Sequence, residues 1–577
     1  MSTRKEDDRG VRRWVDGPMC AVLSLILTLF LYVGTAIART GTSFGCLTSS
    51  VCIALSVVAC LAAWVILTLL CALVFRGLDA IARHQRVGAH AQAGSAYEPP
   101  CWLTALVFVA ILACWVPLML LSFPASINFD YFNQLSQFVG DRPLSNHHPV
   151  LTTWLFGLLY QLGHMFAGAR GGLFLTVVVQ ALGLDALFSY AHRWMCRMGA
   201  KRGVRITLVV FAALCPVLSL YSHVLTKDVF SATTLGFFAL QLVVRAWIDQ
   251  GGQGCGTHES KMPKFASLPA AGAVGVLCSL TRGNCIYVVL VGLLAFACVV
   301  RKGAHLRVLL TAVLVATAYF GWNSVLVPAL GAQPSDAALV LSIPLQQTAA
   351  YARDAGDATP EERTAIQAIL DVDYDQLGGL YDPAIVDPVK THVKGLDDAS
   401  LRAAYLAAWR NQGMRHPAVY LDTFLRGNVG YWYPFVADAN VQDLDYFQNT
   451  AEMHYQWMRG LGYPFNGILA DLGETGSVHE AERIQLGQRV VWLAGVPFAG
   501  LLFQPASYAW CCLVLGTWMF SRRSHAWPVF AMSFVVWAVC CVSPLNASLR
   551  YALPLVMLLP IMWTGVAGLE SGRTYVQ

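Results

Sequence analysis

PASINFDYFNQLSQFVGDRPLSNHHPV, residues 124–150, is a polar island between two apolar runs. Cys101 to Phe123 before it is long enough to cross a bilayer, and Val150 to Ala169 after it is amphipathic. The island carries Asp130, Gln134, Asp141, Arg142, His147 and His148. A segment so placed lies at a membrane surface, and the choice of surface decides the fold.

The 577 residues are 56% hydrophobic and 13% charged, with a mean hydropathy of +0.54. Soluble domains carry about 25% charged residues, so the composition implies a polytopic membrane protein. The net charge of +5 is unevenly spread. Residues 332–489 hold 21 acidic against 11 basic side chains, and the rest of the chain holds 13 against 28. Basic excess beside apolar runs reads as cytoplasmic loops, which excludes a nucleic-acid patch. The acidic block is then expected on the opposite, extracytoplasmic side. The 17 cysteines lie mostly in apolar runs and none falls in 332–489, which argues against a disulfide framework; no metal-spaced CxxC pair occurs.

Twelve spans are expected, at about 18–38, 51–75, 101–123, 171–192, 205–222, 228–246, 265–281, 284–300, 306–328, 504–521, 526–543 and 551–569. The first follows the charged stretch Met1–Trp14 and ends in Ala36-Ile37-Ala38, which resembles a signal-peptidase site. Its apolar run is long for a signal peptide, so an uncleaved anchor is expected. With both termini cytoplasmic, the basic loops 76–86, 192–205, 246–264, 301–307 and 521–525 all fall inside. That solution requires Val150–Ala169 to lie in the interface rather than cross, and Val490–Phe503 is treated in the same way. The parts are then 1–100, with two additional spans; 101–331, a transmembrane core; 332–489, a small mainly helical extracytoplasmic domain; and 490–577, the last spans. In the acidic block Ala358–Ile369 and Asp398–Arg410 have helical spacing, with Asp397/Asp398 as N-caps.

This topology gathers the polar island, the Ser222–Asp228 turn, the Thr281–Asn284 tip and Asn546–Arg550 on one membrane face. Asp130 and Gln134 are four apart and share a face if helical. A partly desolvated carboxylate such as Asp130 suits a general base, with His147 and His148 as neighbours that bind or orient. Taken alone, the same residues also fit a loop that faces water. Asp228 after Lys227 complements a helix N-terminus and equally suits a second acid. Arg282 and Arg550, between apolar runs, suit an anionic phosphate or an ordinary interfacial turn.

On these residues the chain resembles the GT-C superfamily of integral-membrane glycosyltransferases, which use polyprenyl-phosphate sugars. The matching stretches are Asp130 in NFDYFNQ, His148-Pro149 opening an amphipathic helix, Asp228 in TKDVF, and the tip Arg282. Ser342-Ile343-Pro344-Leu345-Gln346-Gln347 and Pro544 with Arg550-Tyr551 complete the set. Two departures are the extra spans before residue 101 and the absence of a second acid next to Asp130. The resemblance implies a GT-C-like fold and inverting transfer of a sugar to a glycan, lipid or protein acceptor. Asp130 would be the catalytic base, and Gln134, His147, His148, Lys227, Asp228, Arg282 and Arg550 would bind substrate. Asp130 and Asp228 would be the ligands of any divalent cation, Mg²⁺ or Mn²⁺. The alternative is a transporter or flippase of lipid-linked or anionic substrates, whose polar groups would be expected near mid-membrane. A third class, a scaffold presenting 332–489, has no use for the Asp130–His148 cluster.

Overall fold

The computed structural model describes residues 3–91, 98–249, 263–301, 303–335, 337–435, 443–476 and 479–568. Most of the expected 246–264 loop and residues 569–577 lie outside the described residues. The chain is mainly helical, as a backbone that must satisfy its own hydrogen bonds in an apolar medium has to be. Among the described residues seven helices are long and apolar enough to cross a membrane: Gly17–Thr40, Ser50–Arg83, Cys101–Leu121, Val150–Arg197, Lys227–Asp249, His305–Ala329 and Leu549–Val566. The other five expected spans correspond to shorter helices. Arg202–Leu214 breaks at Cys215 into Pro216–Tyr221, and the remaining four are Leu268–Thr281, Cys285–Ala297, Pro505–Ser521 and Trp527–Cys541.

Val150–Arg197 is two helices folded back on each other. The helical dihedrals fail at Ala167 (φ −149°) and Gly168 (φ 60°, ψ −158°), a left-handed conformation that glycine adopts at little cost. Glycines let the two arms touch. A Cβ at Gly172 would lie 2.7 Å from the Tyr160 carbonyl oxygen, and one at Gly163 would lie 2.3 Å from that of Gly171. The expected boundary between Val150–Ala169 and the 171–192 span coincides with this reversal. Leu158, Leu162, Met165 and Phe166 remain exposed on the first arm.

The only sheet among the described residues has two strands. β1 (Ser126–Ile127) lies parallel to β2 (Val224–Leu225), with Ser126 opposite Val224 and Ile127 opposite Leu225. This ladder joins parts of the chain almost a hundred residues apart.

The acidic block differs from the single domain expected. Its first part has its own core, built from Leu345, Ile366, Ile369, Leu377, Val389 and Tyr405. Pro360–Ile369 starts on a capping box of Thr359 and Glu362, and Asp398 caps Ala399–Arg415. Its second part is continuous with the transmembrane core, through Tyr431, Leu444, Tyr446, Tyr455 and Leu472. The aromatic VGYWYPF stretch packs on the first long helix, where the Trp432 and Phe30 rings are 5.5 Å apart. The net acidity of the block reflects its wetted surface and carries no mark of this apolar half.

A Gly172→Val substitution is expected to abolish the reversal, lowering the unfolding temperature by several degrees or preventing recovery of folded protein. Inserting methylenes into a packed site costs about 1–3 kcal/mol or more. Gly183→Ala, on the same helix with no atom near its added methyl, should be neutral or slightly stabilising. Thermal unfolding of the two purified variants checks the contrast.

Candidate functional site

The β1–β2 ladder sets two helix starts side by side. After β1, Asn128 caps the helix Phe129–Phe138 by accepting from the Asp130 N–H at 2.9 Å. After β2, Thr226 leads into Lys227–Asp249. The result brings the first turns of both helices together, and Lys227 Nζ donates to Asp130 Oδ2 at 2.7 Å.

A third helix start, Leu549–Gly568, brings Arg550. Its guanidinium donates to Asp130 Oδ2 at 3.1 Å and to Asn128 Oδ1 at 3.0 Å, and its Nε lies 3.6 Å from Asp228 Oδ2. Arg282, from the tip before Cys285–Ala297, pairs with the other oxygen of Asp228. Both guanidiniums lie about 5 Å from the centre of the Tyr551 ring, a favourable place for a cation. His148 closes the cluster, with Nδ1 accepting from Lys227 Nζ at 2.8 Å and Nε2 at 3.2 Å from the Asn133 amide.

These ion pairs therefore link three cations to two carboxylates, and every one of the five side chains is less than 20% exposed. Burial would raise the Asp130 pKa, but the charges of Lys227 and Arg550 outweigh it and hold the carboxyl well below its usual range. Burial lowers the His148 pKa and Lys227 lowers it further, so the ring is neutral at pH 7.

Neighbouring groups hold the cluster in place. Asp443, buried and left-handed at φ 87°, accepts from the Arg550 N–H and Ser548 Oγ at 2.9 Å and from the Tyr221 hydroxyl at 3.2 Å. Asn128 donates to the Tyr446 hydroxyl. Arg483, fully buried, donates to Ser126 Oγ at 2.6 Å and to the carbonyls of Phe447, Asn449, Ser122 and Ala125. Burial pushes its guanidinium down to about 10.

Of the residues singled out from the sequence, Asp130, His148, Lys227, Asp228, Arg282 and Arg550 lie together in this cluster. Two expected members stand apart. Gln134 uses its amide to donate to Thr152 and Thr153 at 2.8 and 3.1 Å, bracing two helices. His147 is exposed, with its ring edge-on to His148 at 4.7 Å. Tyr551 stands in the matching stretch beside Arg550, whereas Asn128, Asp443, Tyr446 and Arg483 are not singled out from the sequence. Asn128 had a signal, an Asn directly before a helix start. Asp443 and Arg483 had none, because what they touch lies far away in the chain.

A divalent cation does not fit the donor set. Hard cations want about six oxygen ligands, whereas Asp130 and Asp228 face an ammonium and two guanidiniums. Among the described residues no group of three His, Cys, Asp or Glu could hold a metal.

From Arg282 and Tyr551 an apolar cleft of about 510 Å³ runs between Cys285–Ala297 and Trp527–Cys541. Val288, Val536, Val539 and Val542 wall it, and the exposed Tyr287 stands on its rim.

Residues 140–569 match DUF6020, a family of unknown function. The chain belongs to that family. The match takes in His147, His148, Lys227, Asp228, Arg282 and Arg550, and begins ten residues after Asp130. No curated protein and no solved structure matches this DUF6020 member.

Removing one partner of a buried pair costs about 3–5 kcal/mol, because the other charge is stranded. Asp228→Asn, which strands Arg282, should therefore destabilise more than the double variant Asp228→Asn/Arg282→Met, as thermal unfolding would record. His148 has a folded pKa below its unfolded value of about 6.5. Its contribution is thus complete above about pH 6.5 and is lost as pH falls from there, where only the unfolded chain takes up the proton. Thermal unfolding from pH 7.5 to 5 should show this slope, to which the buried His223 and His454 add, and His148→Asn should reduce it.

Proposed function

We propose that this protein is a membrane glycosyltransferase that moves a sugar from a polyprenyl-phosphate donor to an extracytoplasmic acceptor, with inversion. The observation that carries the reading is the juxtaposition of a buried cluster, three cations to two carboxylates, with an apolar cleft. Such a site suits a ligand with an anionic head and a long hydrocarbon tail. The phosphate would take Arg282, Arg550 and Lys227, and the isoprenoid would lie along the valines.

In this mechanism an acceptor hydroxyl gives its proton to Asp130 as its oxygen attacks the sugar C1. The C1–O bond breaks, and the electron pair leaves with the phosphate, where the three cations stabilise the new charge. In the structure Asp130 is too strongly paired to be an effective base. A donor phosphate that draws Lys227 and Arg550 to itself raises the Asp130 pKa and frees the carboxylate, so the base is engaged once the donor is bound. His148, neutral, supplies a hydrogen-bonding nitrogen to the head group.

The same reading sets the topology: twelve spans, both termini cytoplasmic, and residues 332–489 outside with the cluster. Its support is the gathering of charged residues at helix starts, which differs from the mid-membrane sites of transporters. The arm Val150–Phe166 lies in the interface, with its exposed apolar stripe in lipid.

Asp130→Asn tests the chemistry. In a deletion strain, wild type should restore a missing envelope sugar, whereas Asp130→Asn, compared at equal amounts of folded, inserted protein, should lose about 10²–10⁴-fold in rate, the scale of general-base catalysis. Full restoration by Asp130→Asn would sink the assignment. A reporter fused after Arg142 that reads cytoplasmic would sink the topology.

A further inference from the structure

Every described cysteine is a free thiol, and two of them flank a member of the charged cluster. Leu268–Thr281 and Cys285–Ala297 are the arms of a hairpin whose tip carries Arg282. A disulfide requires Cβ atoms about 4 Å apart, so the helices that bear it must pack closely. Gly275 allows this, since a Cβ there would already lie 3.0 Å from Val289 Cγ1. One helical turn from that contact toward the tip leads from Gly275 to Cys278 on one arm, and from Val289 to Cys285 on the other. The two cysteines therefore face each other, and their thiols are paired.

The pair differs in access. Cys278 is fully buried, with its sulfur 3.7 Å from the Ser231 carbonyl, on the helix that carries Asp228. Cys285 lines the 510 Å³ cleft in the first turn of its helix, three residues after Arg282. It is the thiol that a reagent in the cleft meets first.

We propose that Cys278 and Cys285 close to an intrachain disulfide that locks the tip, with Arg282 held at Asp228. Extracytoplasmic compartments are oxidising, so the proposal rests on the outer placement of this tip and is independent of the reaction at Asp130. Cys285, as thiolate, attacks a small disulfide, and one thiol of that oxidant leaves. The Cys278 thiolate then attacks the Cys285 sulfur, and the second thiol leaves as the Cys278–Cys285 bond forms. Each cysteine gives up one proton, and the two electrons depart with the reduced oxidant. Reduction by a dithiol reverses both steps and releases the tip, so that Arg282 can turn from Asp228 to an incoming anion.

The test uses the full chain in cells quenched with N-ethylmaleimide, then denatured and digested with trypsin without reductant. Trypsin cuts after Arg282, between the two cysteines. An intact bond should therefore hold residues 265–282 to residues 283–301 in one species that dithiothreitol separates. Cys285→Ser should abolish this species. Cys298→Ser should retain it, which excludes the other cysteine of the second peptide. Purified wild type oxidised with dipyridyl disulfide should unfold a few degrees above the dithiothreitol-treated protein, because the bond restricts the unfolded chain. Cys285→Ser should lack that difference, and the wild-type comparison stands without any variant. Alkylation of both cysteines in wild-type cells overturns the proposal, and the reporter after Arg142 tells whether the topology failed with it. A linked species that survives Cys285→Ser, or equal unfolding temperatures of the oxidised and reduced wild type, also overturns it.

Discussion

A two-residue parallel ladder, Ser126–Ile127 on Val224–Leu225, fixes where five buried charges stand. Moving an ion out of water costs several kcal/mol even after relaxation, unless a partner is held at contact distance. Asp130 and Lys227 are partners only because the ladder aligns the two helix starts. A ladder this short would be weak alone. Arg483 secures it by binding Ser126, the carbonyls of Ser122 and Ala125 just before β1, and that of Phe447. An Arg buried among neutral acceptors is tolerable because each donor finds a carbonyl, and several backbone groups are satisfied together.

Three helix N-termini converge on the cluster, those of Phe129–Phe138, Lys227–Asp249 and Leu549–Gly568. Each contributes roughly half a positive charge, reinforcing the side-chain cations and helping Asp130 stay ionised although buried. Asp443 answers the third of these termini, holding the Arg550 N–H with its carboxylate. Its left-handed backbone costs on the order of 1 kcal/mol, and three hydrogen bonds to the carboxylate offset that strain.

Legibility followed the range of the interactions. The polar island, the loop chemistry around Asp228, Arg282 and Arg550, and the break before residue 171 all depend on local composition, so a linear reading found them. The role of Gln134 did not follow from spacing. It shares a face with Asp130, but Thr152 and Thr153 arrive on that face and take its amide. The acidic block misled more broadly. Its net charge describes what water sees, whereas Tyr431, Leu444 and Tyr446 pack into the transmembrane core, Asp443 reaches Arg550 and Arg483 reaches the ladder at Ser126. Partners more than a hundred residues distant leave no period in the sequence.

The block is therefore part of the site's construction, and this bears on the reading proposed for Asp130. A general base must be deprotonated and also basic enough to accept a proton. Burial alone would make Asp130 basic but protonated; the cations alone make it ionised but weak. With Asn128 and Asp443 holding Arg550 from behind, the guanidinium stays within reach of Asp130, Asp228 and an incoming anion. A phosphate can then redistribute the cations without new charges entering, and the carboxylate gains basicity when the donor is in place. On that reading, the excess of cations in the ion-pair network both recognises the donor and keeps the base inactive without it.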